Sequence, residues 1–325
     1  MTKIAIVGCG RHMRNTLAGY LQRLGRLEFQ VCVDLLEDAA CDMKEIIKAK
    51  KCTSTLETIE SKSIDAAIIA VPPAEAYEIT KFFLSNSIPC FVEKPPAPTS
   101  EKIRELVQIA RERDVFVQVG FNFRSANAIK TLSSKYASLD QMNCVLLMDF
   151  RSQHPSGPEW EISDSVEAWM RHNGIHALDL ARFLLGDAAR VQASIIRDME
   201  ERFIIVVHTS HINGSVSLLR LGNLTGYFDI CVDLLTQQGD HLYMPNLNNV
   251  ILKSNKGNWA ESPIYTTRNL DDGWGIAGYG NELAYFSDNY ASPSKAVPSL
   301  LDAEKASLFC DAIIASLQSG SPRMV

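Results

Sequence analysis

Lys3 to Val7 (KIAIV) is a short apolar run that stops on Gly8-Cys9-Gly10. A run of this length, closed by glycine, reads as a buried parallel strand. Met13, Leu17, Tyr20, Leu21 and Leu24 then fall at helical spacing, and Gly25 stops the helix. A second strand, Phe29 to Val33, closes on Asp34. Strand, glycine turn, helix, strand, carboxylate is the order of a dinucleotide-binding βαβ unit. Such a unit wants GxGxxG: a tight turn, close approach of backbone to a pyrophosphate, and tight helix–strand packing. The first two glycines are present, and Met13 stands at the third, a departure that touches packing more than phosphate contact. The helix N-terminus still offers free N–H groups and partial positive charge. Asp34 is placed to accept from a ribose 2′-hydroxyl and to repel a 2′-phosphate, which favours NAD over NADP. The plainer alternative is a glycine turn in an unrelated α/β domain, with Asp34 an ordinary strand-end residue.

The rhythm continues through residue 120. Helix-like segments at 38–50, 76–84 and 100–113 alternate with strand-like ones at 66–71, 89–92 and 115–119. Alternation of this kind predicts a doubly wound parallel sheet with helices on both faces, an α/β domain over residues 1–123. Beyond Arg124 the pattern changes. A helix at 126–136, a strand at 144–150, a polar loop to about Val166 and a helix at 175–185 precede five strand-like stretches: 190–197, 202–209, 215–221, 226–234 and 249–253. Two helices, near 280–290 and 302–319, close the chain. Successive strands with short turns predict a large, mostly antiparallel open sheet in an α+β domain over 124–325. A length of 325 residues suits two cores.

The net charge of -6 offers nothing that would recruit nucleic acid or an anionic membrane by bulk electrostatics. No apolar stretch reaches the roughly 18 residues that span a bilayer, and the N-terminus lacks a signal-peptide layout. The eight cysteines form no CxxC pair and sit mostly in apolar runs. They read as small buried hydrophobes of a reducing cytoplasm, with no disulfide frame and no zinc site.

Three further segments carry a resemblance: Val92-Glu93-Lys94-Pro95, Gly120-Phe121-Asn122-Phe123-Arg124 and Gly174-Ile175-His176-Ala177-Leu178-Asp179-Leu180. Together with the N-terminal turn they resemble the glucose–fructose oxidoreductase / inositol dehydrogenase (Gfo/Idh/MocA) family over essentially the whole chain. The resemblance implies a Rossmann domain followed by an α+β domain whose open sheet mediates dimers or tetramers. It also implies hydride exchange between a nicotinamide and a sugar or cyclitol carbon. It makes Lys94 the residue that reaches substrate and cofactor, and His176, across the cleft, the general base. The chemistry suits these residue types: the base needs a pKa near working pH, and an ammonium stabilises a developing alkoxide.

The family usually carries a carboxylate, sometimes asparagine, four residues before that histidine; here the position is His172. On a regular helix His172 and His176 share a face, so His172 is a candidate for substrate contact, to a carboxylate or phosphate for example, or for catalysis. No third ligand completes a metal site. The expected cofactor-binding residues are Gly8, Gly10, Arg11, His12, Met13, Asp34, Val71, Pro72, Glu93, Lys94 and Asn122. The expected substrate-binding residues are Lys94, Arg124, Trp160, Trp169, His172, His176 and Tyr279, with Glu282 in the same stretch as Tyr279. Asp179 braces or caps its helix. The leading expectation is an NAD(P)-dependent dehydrogenase of a carbohydrate-like small molecule, homodimeric or homotetrameric and cytoplasmic. A non-catalytic dinucleotide-binding regulator, or a reductase of a dihydrodiol or conjugated double bond, are the alternatives.

Overall fold

The computed structural model describes residues 1–136, 139–153, 157–198, 202–225, 228–247, 249–255, 259–263, 275 and 277–325. The chain divides into two compact units: Met1–Asn122 with Gly278–Glu304, and Phe123–Ala277 with Lys305–Val325. The helix near 280–290, read from sequence as part of the second domain, thus folds with the first unit.

The first unit is built on a six-stranded sheet, order β3-β2-β1-β4-β5-β6. Its strands are β1 (Thr2–Val7), β2 (Leu27–Val33), β3 (Lys51–Thr53), β4 (Ala66–Ile69), β5 (Cys90–Glu93) and β6 (Val117–Gly120). All five pairings are parallel. The central strands are buried on both faces, as helices on either side require. Those helices are α1 (Ala18–Arg23), α2 (Glu37–Ile47), α3 (Pro73–Ser85) and α4 (Ser100–Arg113). Thr99 caps α4 by accepting from Lys102 N, and Asp114 closes it in the left-handed conformation. Ile4, Ile6, Phe91, Met43 and Phe116 form one core.

The strand order reverses between β1 and β4, so the carboxyl ends of these two strands open the crevice where ligands bind in such sheets. That is where the Gly8 turn lies.

In this first unit Cys41 of α2 and Cys52 of β3 are joined by a disulfide, with Cα atoms 5.2 Å apart. This corrects the expectation of unpaired cysteines throughout. The two residues carry no motif spacing; the return of the chain from α2 into β3 brings them together. Cys9, Cys32, Cys90, Cys144 and Cys310 are free and buried, and Cys231 is free and half-buried. A hydrogen bond from Cys32 and burial push the Cys9 thiol up, so it packs as a neutral group.

The second unit contains α5 (Asn127–Lys135), α6 (Ser165–Trp169) and α7 (Ile175–Leu185). Its nine-stranded sheet has the order β14-β13-β12-β11-β7-β10-β9-β8-β15. The strands are β7 (Cys144–Arg151), β8 (Ala188–Arg197), β9 (Phe203–His211), β10 (Val216–Gly222) and β11 (Asp229–Thr236). They continue through β12 (His241–Pro245), β13 (Asn249–Lys253), β14 (Trp259–Pro263) and β15 (Arg323–Met324). Among the described residues of this sheet β7 and β10 pair in parallel and the other pairings are antiparallel. Gly226 and Tyr227, the start of the strand expected at 226–234, lie outside the described residues.

Burial alternates along β7 and β9, the mark of a sheet with one covered face. Leu146, Met148 and Phe150 turn inward onto α7, while Val145 and Leu147 are exposed. Helix α8 (Tyr279–Asn289) belongs to the first unit, and α9 (Leu300–Ser319) carries the chain from the first unit into the second. No described helix is long and apolar enough to cross a membrane.

Candidate dinucleotide pocket and active-site residues

β1 ends in Gly8 with φ at +86°, and a Cβ there would lie 2.3 Å from the Ala70 carbonyl oxygen and 2.5 Å from Val71 Cγ1. Only glycine fits. The Gly8 amide donates to the Val33 carbonyl at 2.9 Å. The next amide, Cys9 N, donates to Asp34 Oδ2 at 2.7 Å, and Leu36 N donates to Asp34 Oδ1 at 3.0 Å. Asp34 thus ties the turn to the end of β2. Gly10 differs from Gly8: its φ is not left-handed, it is exposed, and a Cβ on it would meet nothing within 4 Å. The room beside it is a cradle of the kind a pyrophosphate needs.

Met13 sits where a third glycine would pack the helix on the strand. Its side chain is buried in the core, and the helix opens into a π-turn over Met13–Leu17. The expectation that Met13 binds cofactor is corrected for its side chain, which reaches no surface; its backbone alone belongs to the turn. Arg11 is exposed on the turn.

A pocket of about 720 Å³ lies on this side of the sheet, lined by Gly8, Asp34, Val71 and Pro72. Its volume suits a nucleotide-sized ligand. Glu57, Glu75 and Glu78 join Asp34 on its walls, and its lining includes no Lys, Arg or His. Four of the predicted cofactor-binding residues therefore share one pocket.

The EKP segment follows β5. Glu93 is buried; its Oε1 faces His12 Nε2 at 3.1 Å and its Oε2 accepts from Lys94 N at 3.3 Å. Gly120 makes room for it, since a Cβ there would come within 3.0 Å of the Glu93 carboxyl carbon. Lys94 is half-buried, and its bond to Pro95 is cis. Asn122 is buried just past β6. Tyr279 packs edge-on to His12 at 5.9 Å and stacks on Tyr20 at 6.3 Å.

Glu282 has no exposed surface, which corrects its place beside a substrate. Burial, then the charge of Glu93, push its carboxyl far above the usual range, so it is a neutral acid. The His12–Glu93 contact and the buried Glu282 are two features that spacing alone does not show.

In the second unit the helix carrying His172 and His176 is not regular. α6 runs into a π-turn over Met170–Gly174, and α7 starts at Ile175. A Cβ at Gly174 would press on the Met170 side chain, 2.8 Å from Sδ, and on Trp169 at 3.2 Å. His176, on α7, is buried with its ring 4.9 Å from that of Phe123. Asp179 grips Arg124 with both oxygens, at 2.7 Å from Nε and 2.5 Å from Nη2, and both side chains are buried. The bidentate pair braces α7 against the segment entering the unit. That contact spends two of the donors expected for substrate.

Trp169 is fully buried, its Nε1 donating to the Ser152 carbonyl at 2.8 Å. It packs with Phe150 and Phe203, so the expectation of substrate contact is corrected: this is a core side chain. Asn173 turns to Ser152 Oγ, and Arg171 pairs with Glu167 and Asp311.

His172 has a different setting from His176. Its Nδ1 lies 2.7 Å from Glu159 Oε2, and its ring centroid is 4.6 Å from that of Trp160. Glu159 and Trp160 come from a four-residue turn closed by Ile162 N donating to the Glu159 carbonyl at 2.9 Å. Both central residues are left-handed, Trp160 at φ +51° and Glu161 at φ +63°. Positive φ at both positions is the habit of a type I′ turn, normally filled by Asn and Gly. Each L-residue there costs about 1–2 kcal/mol. Strain of this kind persists where the surroundings fix it, commonly at ligand sites.

The chain is similar to known proteins along two lines. Residues 2–121 match the family model described as an oxidoreductase family with an NAD-binding Rossmann fold. Among curated proteins, inositol 2-dehydrogenase of Pseudarthrobacter chlorophenolicus is 24% identical over 201 residues, covering 57% of this chain and 54% of that protein. The chain spans about half the length of the curated relatives it matches first. Among solved structures, a dehydrogenase from Chromobacterium violaceum aligns with TM-score 0.88 at 21% identity, covering 98% of this chain and 96% of that one. A levoglucosan dehydrogenase in complex with NADH aligns with TM-score 0.84 at 16% identity, covering 100% and 99%. These likenesses extend the fold to the whole length. Residues 2–121, the stretch that is similar to the Gfo/Idh/MocA oxidoreductase family, lie in the first unit.

Proposed function

We propose that this protein is a dehydrogenase or reductase that uses NAD and acts on a secondary alcohol or ketone of a sugar, sugar derivative or cyclitol. The observation that carries the reading is the glycine turn held to Asp34 beside a pocket of nucleotide size. Relatives named for inositol and levoglucosan support the substrate class.

Gly8, Gly10, Asp34, Val71 and Pro72 are the residues that would hold the cofactor, whose nicotinamide supplies the hydride acceptor or donor when bound. The preference for NAD rests on the charge of the pocket. Asp34, Glu57, Glu75 and Glu78 line it without a cation among them, and a 2′-phosphate placed there meets only like charge. Replacing Asp34 with Ser should relax the preference by removing one such charge.

Lys94 and His176 are proposed as the pair that handles the proton. An imidazole nitrogen of His176 takes the hydroxyl proton, and the Lys94 ammonium stabilises the oxygen that loses it. Absorbance at 340 nm across myo-inositol, levoglucosan and a panel of sugars and nucleotide sugars, with NAD and NADP in parallel, tests the reading. Lys94→Ala and His176→Ala should each lower turnover by about 10²–10⁴ while cofactor binding changes far less. Tighter binding of NADP, or activity that survives both changes, would refute it.

A further inference from the structure

We propose that His12 is a positioning residue for the dehydrogenase reaction: through Glu93 it sets the segment that carries Lys94 against the dinucleotide turn. The proposal rests on the reading of the chain as a sugar or cyclitol dehydrogenase. It adds to that reading a residue that acts through the Lys94 ammonium.

Three segments of the first unit meet at one imidazole. His12 follows Gly10 and Arg11 on the turn after β1, and its Nε2 lies 3.1 Å from Oε1 of Glu93, the last residue of β5. Its ring also lies edge-on to Tyr279, the first residue of α8, with 5.9 Å between centroids. The second oxygen of Glu93 accepts from Lys94 N at 3.3 Å. One carboxylate therefore bonds both the dinucleotide turn and the backbone of Lys94.

The charges around Glu93 make that link matter. Its side chain is only 9% exposed, and a buried carboxylate is costly without a donor or a cation. Among the described residues His12 is its only side-chain partner. Arg14, another cation of the same segment, is engaged by Asp42. Burial, then the charge of Glu93, hold Tyr279 and Glu282 neutral, so neither adds a charge that could replace the imidazole. Without His12 the buried anion keeps one main-chain donor, the Lys94 amide, and the segment carrying Lys94 loses its tie to the dinucleotide turn. That turn keeps ties of its own, from Gly8 N to the Val33 carbonyl and from Cys9 N to Asp34. Loss of the imidazole thus loosens Lys94 and leaves the cofactor cradle in place.

Two substitutions separate the hydrogen bond from the packing. His12→Leu keeps bulk beside Tyr279 without a donor, and His12→Gln returns a side-chain N–H to Glu93. Exchange of the Lys94 amide, read by NMR on the full chain, should quicken in His12→Leu and hold the wild-type rate in His12→Gln. With NAD and myo-inositol, or the panel sugar oxidised fastest, as probes, His12→Leu should lower kcat by about 10–100-fold, the scale of a lost hydrogen bond to a charged group. His12→Gln should recover most of the loss, and NAD affinity by calorimetry should stay constant in both. His12→Leu combined with Lys94→Ala should be no worse than Lys94→Ala alone, because the first acts through the second. Additive losses in that pair, an NAD affinity that falls together with kcat, or a Lys94 amide indifferent to His12→Leu would overturn the proposal in an enzyme that still works. Wild-type inactivity on myo-inositol and the whole panel overturns the proposed reaction, and this role of His12 with it.

Discussion

Alanine at Gly8 and alanine at Gly10 test different halves of the dinucleotide turn, and the structure assigns them opposite outcomes. Gly8 has φ +86°, where an L-residue costs about 1–2 kcal/mol. Its new methyl would also stand 2.3 Å from the Ala70 oxygen, 2.5 Å from Val71 Cγ1 and 2.7 Å from the Ala70 carbonyl carbon. Two of those three atoms are backbone and cannot rotate away, so overpacking adds about 1–3 kcal/mol. Gly8→Ala should therefore destabilise the first unit by about 2–5 kcal/mol. At Gly10 the methyl meets no protein atom and the backbone is not left-handed. Gly10→Ala should stay within about 1 kcal/mol of the wild type, on either side. The methyl would instead occupy the space in front of the turn. If a pyrophosphate lies there, a clash of about 1–3 kcal/mol weakens NAD binding by about 5–150-fold.

The choice of probe matters. Trp160, Trp169 and Trp259 fall in the second unit, so the first unit needs probes of its own. Hydrogen exchange at the β1 and β4 amides, with urea melts followed by circular dichroism, reads the first unit directly. Calorimetry reads NAD binding. A Gly8→Ala protein as stable as the wild type would refute the packing argument. A stable Gly10→Ala protein with unchanged NAD affinity would remove the turn from the cofactor site.

Three further outcomes are expected. Reducing the Cys41–Cys52 disulfide, which closes a short loop between residues separated by 11 positions, should cost the first unit about 3 kcal/mol. Melts with and without reductant check it, and a thiol count showing eight free cysteines in the purified protein would refute the pairing. The exposed apolar side chains Val145, Leu147, Leu218 and Leu235 lie on neighbouring strands of the second sheet and suit burial against another copy of the chain. Leu147→Arg should shift light scattering toward monomer, and a wild type already monomeric at micromolar concentration rejects the idea. Burial holds the His211 ring below its ordinary value of 6.5, with Nδ1 on the Gly186 carbonyl and Nε2 on Ser217 Oγ. The unfolded chain then takes up the proton first, so stability is complete above pH 6.5 and is lost as pH falls toward the folded value. His211→Asn should flatten that acid-side slope in urea melts, and an unchanged slope refutes it.

Much of the fold was legible because its signals are local. A parallel strand buried on both faces must be an apolar run, and KIAIV and AAII are such runs. β3 escaped notice because KCT is three residues long, half-exposed and at the edge of its sheet. α6 is hidden for a different reason: the polar composition up to Val166 reads as a loop. Yet Asp164-Ser165-Val166-Glu167 carries the acidic N-cap and third-position Glu of a helix start, and Asp164 does accept from Glu167 N at 2.7 Å. Reading that signal would have put Trp169 on a helix face, where a large apolar side chain is more often core than recognition surface. Gly278–Glu304 shows the other limit. Helical spacing reveals α8 but says nothing about which sheet it covers.

The same distinction separates what could and could not be read at the candidate site. Gly8, Gly10 and Asp34 were visible because one βαβ unit dictates their spacing, and the structure joins them through the Cys9 amide. The substitution at His172 was also visible, but only as the loss of a helix-borne carboxylate. Its physical meaning depended on a partner thirteen positions earlier, on a turn that no propensity predicts. Trp160 and Glu161 are poor residues for left-handed backbone, so sequence rules argue against the turn that presents Glu159. A local choice that disagrees with its own conformation is expected where function outweighs stability. On that argument the unfavourable turn and the unusual histidine are one feature: a carboxylate absent from the helix, and a carboxylate brought to the same ring from outside it.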